Sequence, residues 1–367
     1  MKKAALITGG AGFIGSHVAD ELLSAGYHVR VLDNFSIVTH GAGQRRPAFM
    51  NPETELMIGD VQDPEAVRRA LKGIDIVCHL ASEVGASQSM LDIRSHTTTN
   101  ALGTAVLIDA LIEHPVEKLV VASTMSVYGE GAYQTADGIP VVPDERSTDQ
   151  LRVGDWDVRD RSGATLIPTA TPEEKPLALA SVYALSKFCQ ERLCLMLGKE
   201  YGVATVALRI FNAYGPRQFL LNPYGGVLSV FASRLMNRNS PIIYEDGNQL
   251  RDFIHVTDVA RAFRLALEKD AAIGHVINIG SGTAHTVHEA AQLLADHMHT
   301  NDVKLRITGR HRQHDVRHCF ADIRRAQQLL NFDPTIAFTD GLREMATWLA
   351  DRVPYDRSAV GTIEFAS

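Results

Sequence analysis

The chain has little cysteine, no long apolar run and no surplus of positive charge, and each shortage removes a class of function. Its 367 residues hold 4 cysteines, Cys78, Cys189, Cys194 and Cys319, scattered without disulfide or metal spacing. That usage fits a reducing compartment, and the predicted localisation is cytoplasmic. Cys189 and Cys194 fall in an apolar helical stretch, where packing is their expected role. No apolar run approaches the ~20 residues needed to span a bilayer, so no membrane partner is predicted. The start, MKKAALI, resembles a signal n-region only superficially, because the apolar stretch breaks at Thr8-Gly9-Gly10. A buried first strand is the better reading. A formal net charge of −7 gives nucleic acid no electrostatic reason to bind. The stretch GRHRQHDVRH brings His311, His314 and His318 together, but their spacing fits no common zinc pattern, and no metal is predicted. There is no internal repeat.

What is present is an ordinary globular composition, 45% hydrophobic and 22% charged, with length enough for a sizeable core. Short apolar runs alternate with helical patterns through the first half. AALIT (4–8), HVRVLD (28–33), ELMIGD (55–60), IDIVCHLA (74–81) and KLVVAS (118–123) read as strands, with helices between them to about Ala25, near 64–72 and at 97–113. Apolar strands alternating with helices predict a doubly wound parallel sheet covered on both faces. The stretch from about 130 to 178 is polar and shows no period, and reads as a surface insertion near the substrate mouth. A helix at 182–200 and a strand at 203–211 follow. The last dozen residues read as a loose tail.

Gly9, Gly12 and Gly15 lie between a strand and a helix, where the chain must turn tightly and let a pyrophosphate approach the helix N-terminal amides. Asp33 ends the second strand, where its carboxylate can accept from adenosine ribose hydroxyls and would repel a 2′-phosphate. No arginine sits in the glycine turn, so NAD is favoured over NADP. Asp60 and Val61, closing the third strand, are placed to bracket the adenine, with a strand-end or turn role as the alternative for Asp60.

Tyr183 and Lys187 stand one helical turn apart in SVYALSK and share a helix face. A phenol is a poor base at its ordinary pKa near 10, and bringing it toward 7 takes about 4 kcal/mol of preferential phenolate stabilisation. A lysine and an oxidised nicotinamide are the right neighbours for that. Thr124, after the fifth strand, can hydrogen-bond the alcohol that Tyr183 deprotonates. Ser123 and Ser126 are rival hydroxyls, and turn-capping is an alternative role for Thr124.

Together TGGAGFIGS, LDNFS, GDVQD, HLAS, STMSVYG, YALSK, RIFNAYGPRQ and RDFIHVTDVA resemble, in order, the extended short-chain dehydrogenases/reductases, the NAD-dependent nucleotide-sugar epimerases and dehydratases. The resemblance spans about residues 4–345. It implies a Rossmann domain over 1–200, with sheet strands returning near 203–211 and 251–280. A smaller C-terminal α/β substrate lobe over most of 212–350 and a tail at 351–367 complete the expected organisation. It implies NAD contacts from Gly9, Gly12, Phe13, Ile14, Gly15, Asp33, Asn34, Asp60, Val61, Leu80, Ala81, Ser82, Asn100, Tyr183 and Lys187. Thr124, Tyr183 and Lys187 would be catalytic. Ser126 and Asn212 would touch substrate, and Arg251 and Arg312 would neutralise its diphosphate. A homodimer is also implied, joined through the apolar helices at 97–113 and 182–200.

Family members that eliminate water across carbons 5 and 6 carry Asp-Glu after the catalytic threonine; here those positions are Met125 and Ser126, neither able to shuttle protons near neutral pH. The expected reaction is therefore 4-epimerisation of a nucleotide-diphosphate sugar. The chain is most similar to epimerases of dTDP-6-deoxyhexoses, with UDP-glucose or UDP-glucuronate epimerases and 4,6-dehydratases as alternatives.

Overall fold

Alternate residues of the apolar runs pack on opposite faces of one seven-stranded sheet, which is why those runs are mostly apolar. The computed structural model describes residues 2–41, 46–218, 226–312 and 315–352. Its first sheet contains β1 (Ala4–Thr8), β2 (His28–Asp33), β3 (Glu55–Ile58), β4 (Ile76–His79) and β5 (Lys118–Thr124), with Ala204–Ile210 and Val276–Ile279. Across the sheet the order is Val276–Ile279, Ala204–Ile210, β5, β4, β1, β2, β3. Every pairing in it is parallel.

Ala5, Ile7, Val120 and Ala122 enter one core together with residues of α1 (Phe13–Ser24) and of the helix Val256–Glu268. Leu6, Val77, Leu119 and Val121 enter the other, with Val67, Leu107 and Cys194 from the helices Pro64–Leu71, Gly103–Glu113 and Val182–Tyr201. From β1 the sheet grows to β2 and β3 on one side and to β4 and β5 on the other. The carboxyl ends of β1 and β4 therefore flank a topological switch point, where open α/β sheets take ligands.

Three expectations change. The helix expected over 97–113 is preceded by Ile93–His96 and opens with a π-helical turn, Thr97–Leu102, before regular α-helix at Gly103–Glu113. The 130–178 insertion is built rather than irregular. Ala132–Gln134 pairs antiparallel with Pro140–Val141 and Ile167–Thr169, over a small core of Tyr133, Val158 and Leu166. Strands of two or three residues are too short to print a period on the sequence. Finally, Leu250–His255 is not in the first sheet. It pairs with Asn212–Tyr214, Ala284–Thr286 and His318–Cys319. Helices Val227–Met236, Val287–His297 and Phe338–Ala350 contribute Phe231, Leu294 and Met345 to one core with Phe253 of that strand. Of the 351–367 tail, all but Asp351 and Arg352 lie outside the described residues.

A buried ion pair ties the Tyr183 helix to the sheet. Arg209 meets Glu191 with both nitrogens of its fork, at 3.0 and 2.8 Å, and also donates to the Tyr128 hydroxyl at 2.9 Å. Both partners are almost fully enclosed, at 5% and 1% side-chain exposure. Removing one of them strands the other charge in the interior. Arg209→Met is expected to lower unfolding stability by about 3–5 kcal/mol. A urea melt showing a loss below about 1 kcal/mol would refute this.

Candidate active site

A cavity of about 440 Å³ opens over the switch point. Its wall begins at the turn after β1. Gly9 holds a left-handed φ of +69°, and a Cβ there would stand 2.8 Å from the Ala81 backbone. At Gly15 a Cβ would lie 2.3 Å from the Gly9 carbonyl oxygen. Only glycine lets this turn fold so tightly against the start of α1. Gly12 caps that helix in extended conformation with no side-chain hydrogen bond, leaving the first-turn amides for an anion. The cradle therefore fits a pyrophosphate.

Asp33 is buried at the end of β2. Its carboxylate accepts from the amides of Ala11 at 3.0 Å and Phe35 at 2.9 Å, and His40 stands 3.4 Å away. Two amides fix the carboxylate at the cavity wall and leave lone pairs for ribose hydroxyls. Val61, Leu80, Ala81, Ser82, Phe13, Ile14 and Asn34 also line the cavity.

Two expected contacts stand back from the wall. Asp60 spends its carboxylate on Asn34 at 2.9 Å and on the Gln62 amide at 2.8 Å. Asn100, fully buried in the π-helical turn, accepts from the Glu83 amide at 2.7 Å and donates to the Glu83 carbonyl and the Ser186 hydroxyl. Its amide is consumed in fixing the loop after β4, so any influence on a ligand runs through that loop.

Across the cavity, Ser181 caps the Tyr183 helix by accepting from the Ala184 amide at 3.1 Å, and Gly202 ends it in the left-handed region. Thr124 at the tip of β5 does two things. Its hydroxyl accepts from the Ser126 amide, capping the turn Met125–Tyr128, and it is hydrogen-bonded to the Tyr183 phenol. Ser123 is no rival, since it donates to buried Glu191 at 2.6 Å. Ser126 accepts from Thr124 at 3.2 Å.

Burial pushes the Tyr183 phenol above its ordinary value, and the Thr124 hydrogen bond only partly offsets this. The lowering expected from sequence is thus not provided by these residues, and a positive charge at the cavity is required. Lys187, one helical turn on, also lines the cavity and is buried, donating to the Ala122 carbonyl at 2.7 Å and to Gln190. Desolvation pulls its ammonium down to about 7.

The substrate residues are divided. Asn212 lines the cavity, donating to the Asp252 carbonyl at 2.8 Å and facing the Met125 sulfur at 3.4 Å. Arg251 does not line it. Its guanidinium serves the carbonyls of Leu250, Val316 and Arg317. Arg312 is exposed and lies over the Tyr244 ring at 4.0 Å. Of the three histidines nearby, His318 accepts from the Leu250 amide at 3.1 Å, His311 packs near Trp156, and His314 lies outside the described residues. Sequence reading missed Glu83, Leu228, Phe253 and Gln218 on the cavity wall. Gln218 and Phe253 lie within RIFNAYGPRQ and RDFIHVTDVA, whereas Glu83 and Leu228 belong to no recognisable pattern.

The model of the NAD dependent epimerase/dehydratase family matches residues 5–150 and 162–280. The chain belongs to that family. NAD is accordingly the cofactor, and the shape of the glycine cradle and the place of Asp33 fit a dinucleotide. The interruption at 151–161 in the match falls inside the 130–178 insertion. The epimerase/dehydratase is 34% identical to the dTDP-L-rhamnose 4-epimerase of Burkholderia thailandensis over 356 residues, 96% of each chain. Among solved structures it is similar to the UDP-glucose 4-epimerase of Thermotoga maritima with UDP-glucose. That match has a TM-score of 0.78 and 28% identity over 95% of this chain and 98% of the other. It is also similar to the UDP-glucuronic acid 4-epimerase of Bacillus cereus in complex with UDP-glucuronic acid and NAD. There the TM-score is 0.76 and the identity 27%, over 95% and 99% of the two chains. No helix among the described residues is long and apolar enough to cross a membrane.

Proposed function

We propose that this enzyme is a nucleotide-sugar 4-epimerase that interconverts dTDP-L-rhamnose and dTDP-6-deoxy-L-talose through a transient 4-keto sugar. One observation carries the reading. Thr124, Tyr183 and Lys187 meet at one wall of the cavity, and the residues that follow Thr124 there are Met125 and Ser126. Tyr183 takes the proton of the sugar 4-hydroxyl while Thr124 hydrogen-bonds the same oxygen. Lys187, held from behind by the Ala122 carbonyl, places its charge beside the phenolate. NAD, bound along the glycine turn, would supply the positive charge that the buried phenol needs and a reversible acceptor for the carbon-4 hydride. Tyr183 then returns its proton to the oxygen after the sugar has turned over in the pocket. Gly9, Gly12, Phe13, Ile14, Gly15, Asp33, Asn34, Val61, Leu80, Ala81 and Ser82 are the residues that would hold the dinucleotide. Asn212 and Ser126 would hold the sugar side.

A 4,6-dehydratase needs a further acid and base beside carbons 5 and 6, and neither a thioether nor an alcohol does that near neutral pH. The wall also favours an uncharged sugar. Among the described residues no arginine lines it, while Glu83 and apolar Met125, Val84, Leu228 and Phe253 do. A uronate carboxylate would be desolvated there without a guanidinium partner.

The test is to incubate the purified protein separately with dTDP-L-rhamnose, UDP-glucose and UDP-glucuronate, and to read carbon-4 configuration by proton NMR. Inversion of dTDP-L-rhamnose without net NADH formation is expected. Conversion of a UDP sugar alone would sink the substrate assignment, and accumulation of a 4-keto-6-deoxy product would sink the epimerase assignment.

The enzyme is further proposed to be a homodimer. Leu102, Leu185 and Met196 on the two helices, with Met90, Leu91 and Ile93 just before them, are each more than half exposed. Exposed apolar side chains on adjoining helices fit a seam with a second copy. Sedimentation should give twice the chain mass, and Leu185→Glu with Met196→Glu should give the single chain. A wild type that sediments as one chain would dispose of the dimer.

A further inference from the structure

Behind Lys187 lies a closed set of buried polar groups that neither the glycine turn nor the Tyr183 pair explains. Gln190, three residues along the same helix, is fully enclosed, as are His79 on β4, Thr8 on β1 and Thr104. We propose that Gln190 is a positioning residue for Lys187, and that neutral His79 fixes which way the Gln190 carboxamide points.

An ammonium has only protons to offer, so of the two ends of the carboxamide only Oε1 can face Lys187. That contact is present. The Gln190 Nε2 group then points the other way, into three atoms. They are His79 Nε2 at 2.8 Å, Thr104 Oγ1 at 3.0 Å and the Ala81 carbonyl at 3.2 Å. Thr104 gives its own proton to the Asn100 carbonyl at 2.6 Å, so its oxygen is left to accept. His79 Nε2 also lies 2.9 Å from Thr104 Oγ1, but the Gln190 Nε2 group meets it at 2.8 Å as a donor, so that nitrogen is assigned as the acceptor and the His79 proton sits on Nδ1, 2.7 Å from the Thr8 hydroxyl. Thr8 in turn accepts from the Ala81 amide at 3.2 Å.

The chain Thr8–His79–Gln190–Lys187 thus has one consistent direction of donation, and reversing the carboxamide would set its N–H groups against the ammonium. With the Ala122 carbonyl and Gln190 Oε1 holding two of the three Lys187 protons, the third is aimed without choice. Buried hydrogen-bond networks of this kind restrict the geometry of the side chains in them. The consequence for chemistry is that the Lys187 charge is both sustained and fixed beside Tyr183. The role assigned to Lys187 rests on the proposed epimerase reading, but the first readout below needs no substrate.

Gln190→Leu keeps the bulk and removes the acceptor. In a pH titration of the ultraviolet phenolate band, taken as the difference from Tyr183→Phe in the same background, the Tyr183 pKa should rise by about one unit. That is the size expected when a hydrogen bond to a charged group is lost. On the substrate, the rising limb of kcat against pH should move the same way, with KM changed less than about twofold and NAD content unchanged, the signature of an interaction lost from the reacting state alone. His79→Leu should shift the same limb by less, and the double variant should match Gln190→Leu, since His79 acts only through Gln190. If Gln190→Leu does not fold, the His79→Leu titration decides alone. An unmoved phenolate titration in the folded variant overturns the proposal whatever the substrate proves to be. Additive effects in the double variant overturn the part assigned to His79.

Discussion

Tyr183→Phe is expected to leave a folded, NAD-bearing protein whose kcat is lower by about 10²- to 10⁴-fold, the usual contribution of a positioned acid–base group. The substitution removes one oxygen. It leaves the helix cap at Ser181 and the bond from the Tyr183 amide to the Ser89 hydroxyl at 2.9 Å untouched. The fold should therefore persist, and a loss of activity reports on the proton transfer. The pH dependence should change with it. In the wild type burial holds the phenol above its usual value and desolvation draws Lys187 down to about 7. The two groups share one helix face, and burial is the first cause of both shifts. Phenolate formation gives activity that rises with pH, and discharge of Lys187 gives activity that falls above its pKa. The remaining activity of the phenylalanine variant should lack the rising limb. A variant with full turnover at neutral pH would return the protein to a non-catalytic dinucleotide-binding role.

The parts of the fold that could be read from sequence were those whose physics is local. Strands buried on both faces leave continuous apolar strings, and β1, β2, β4 and β5 came through near their true bounds. The glycine turn could be read because its steric demand falls on backbone atoms, which are the same in every sequence. Thr124, Tyr183 and Lys187 lie on one cavity wall as expected. Direction was harder. Arg251 and Asn100 have the chemistry to meet a ligand, yet main-chain carbonyls and amides took them first. A one-dimensional pattern cannot say whether a polar side chain faces a cavity or a neighbouring loop. Gln190 and His79 left no trace for another reason: Gln190 is one of several polar residues on its helix, His79 sits inside an apolar string, and they are brought together from elements far apart along the chain. The π-helical turn at Thr97–Leu102 has the same origin, because only the tertiary bonds of Asn100 show what it is for.

Gly15→Ala should abolish cofactor retention, and with it all activity, at a cost in stability that Gly12→Ala does not share. A methyl at position 15 would sit 2.3 Å from the Gly9 carbonyl oxygen and 2.7 Å from the Gly10 Cα, both backbone atoms in a turn that cannot give way singly. Gly9 is itself pinned, with its amide on the Leu32 carbonyl at 2.8 Å and its own positive φ. To make room, the start of α1 must move off the sheet, and the first-turn amides that face the pyrophosphate move with it. At Gly12 the nearest protein atom would be the same carbonyl at 3.3 Å, a strain that a shift of a few tenths of an ångström relieves. Destabilisation of Gly15→Ala is expected to reach about 1–3 kcal/mol, the cost of forcing added bulk into a packed site. Because bound NAD stabilises the native state by mass action, its loss should lower the melting temperature further. Chromatography of the nucleotide released on denaturation, set beside the melting curves of the two variants, separates the effects. Near-stoichiometric NAD in purified Gly15→Ala would show that the dinucleotide does not lie where the turn after β1 meets α1.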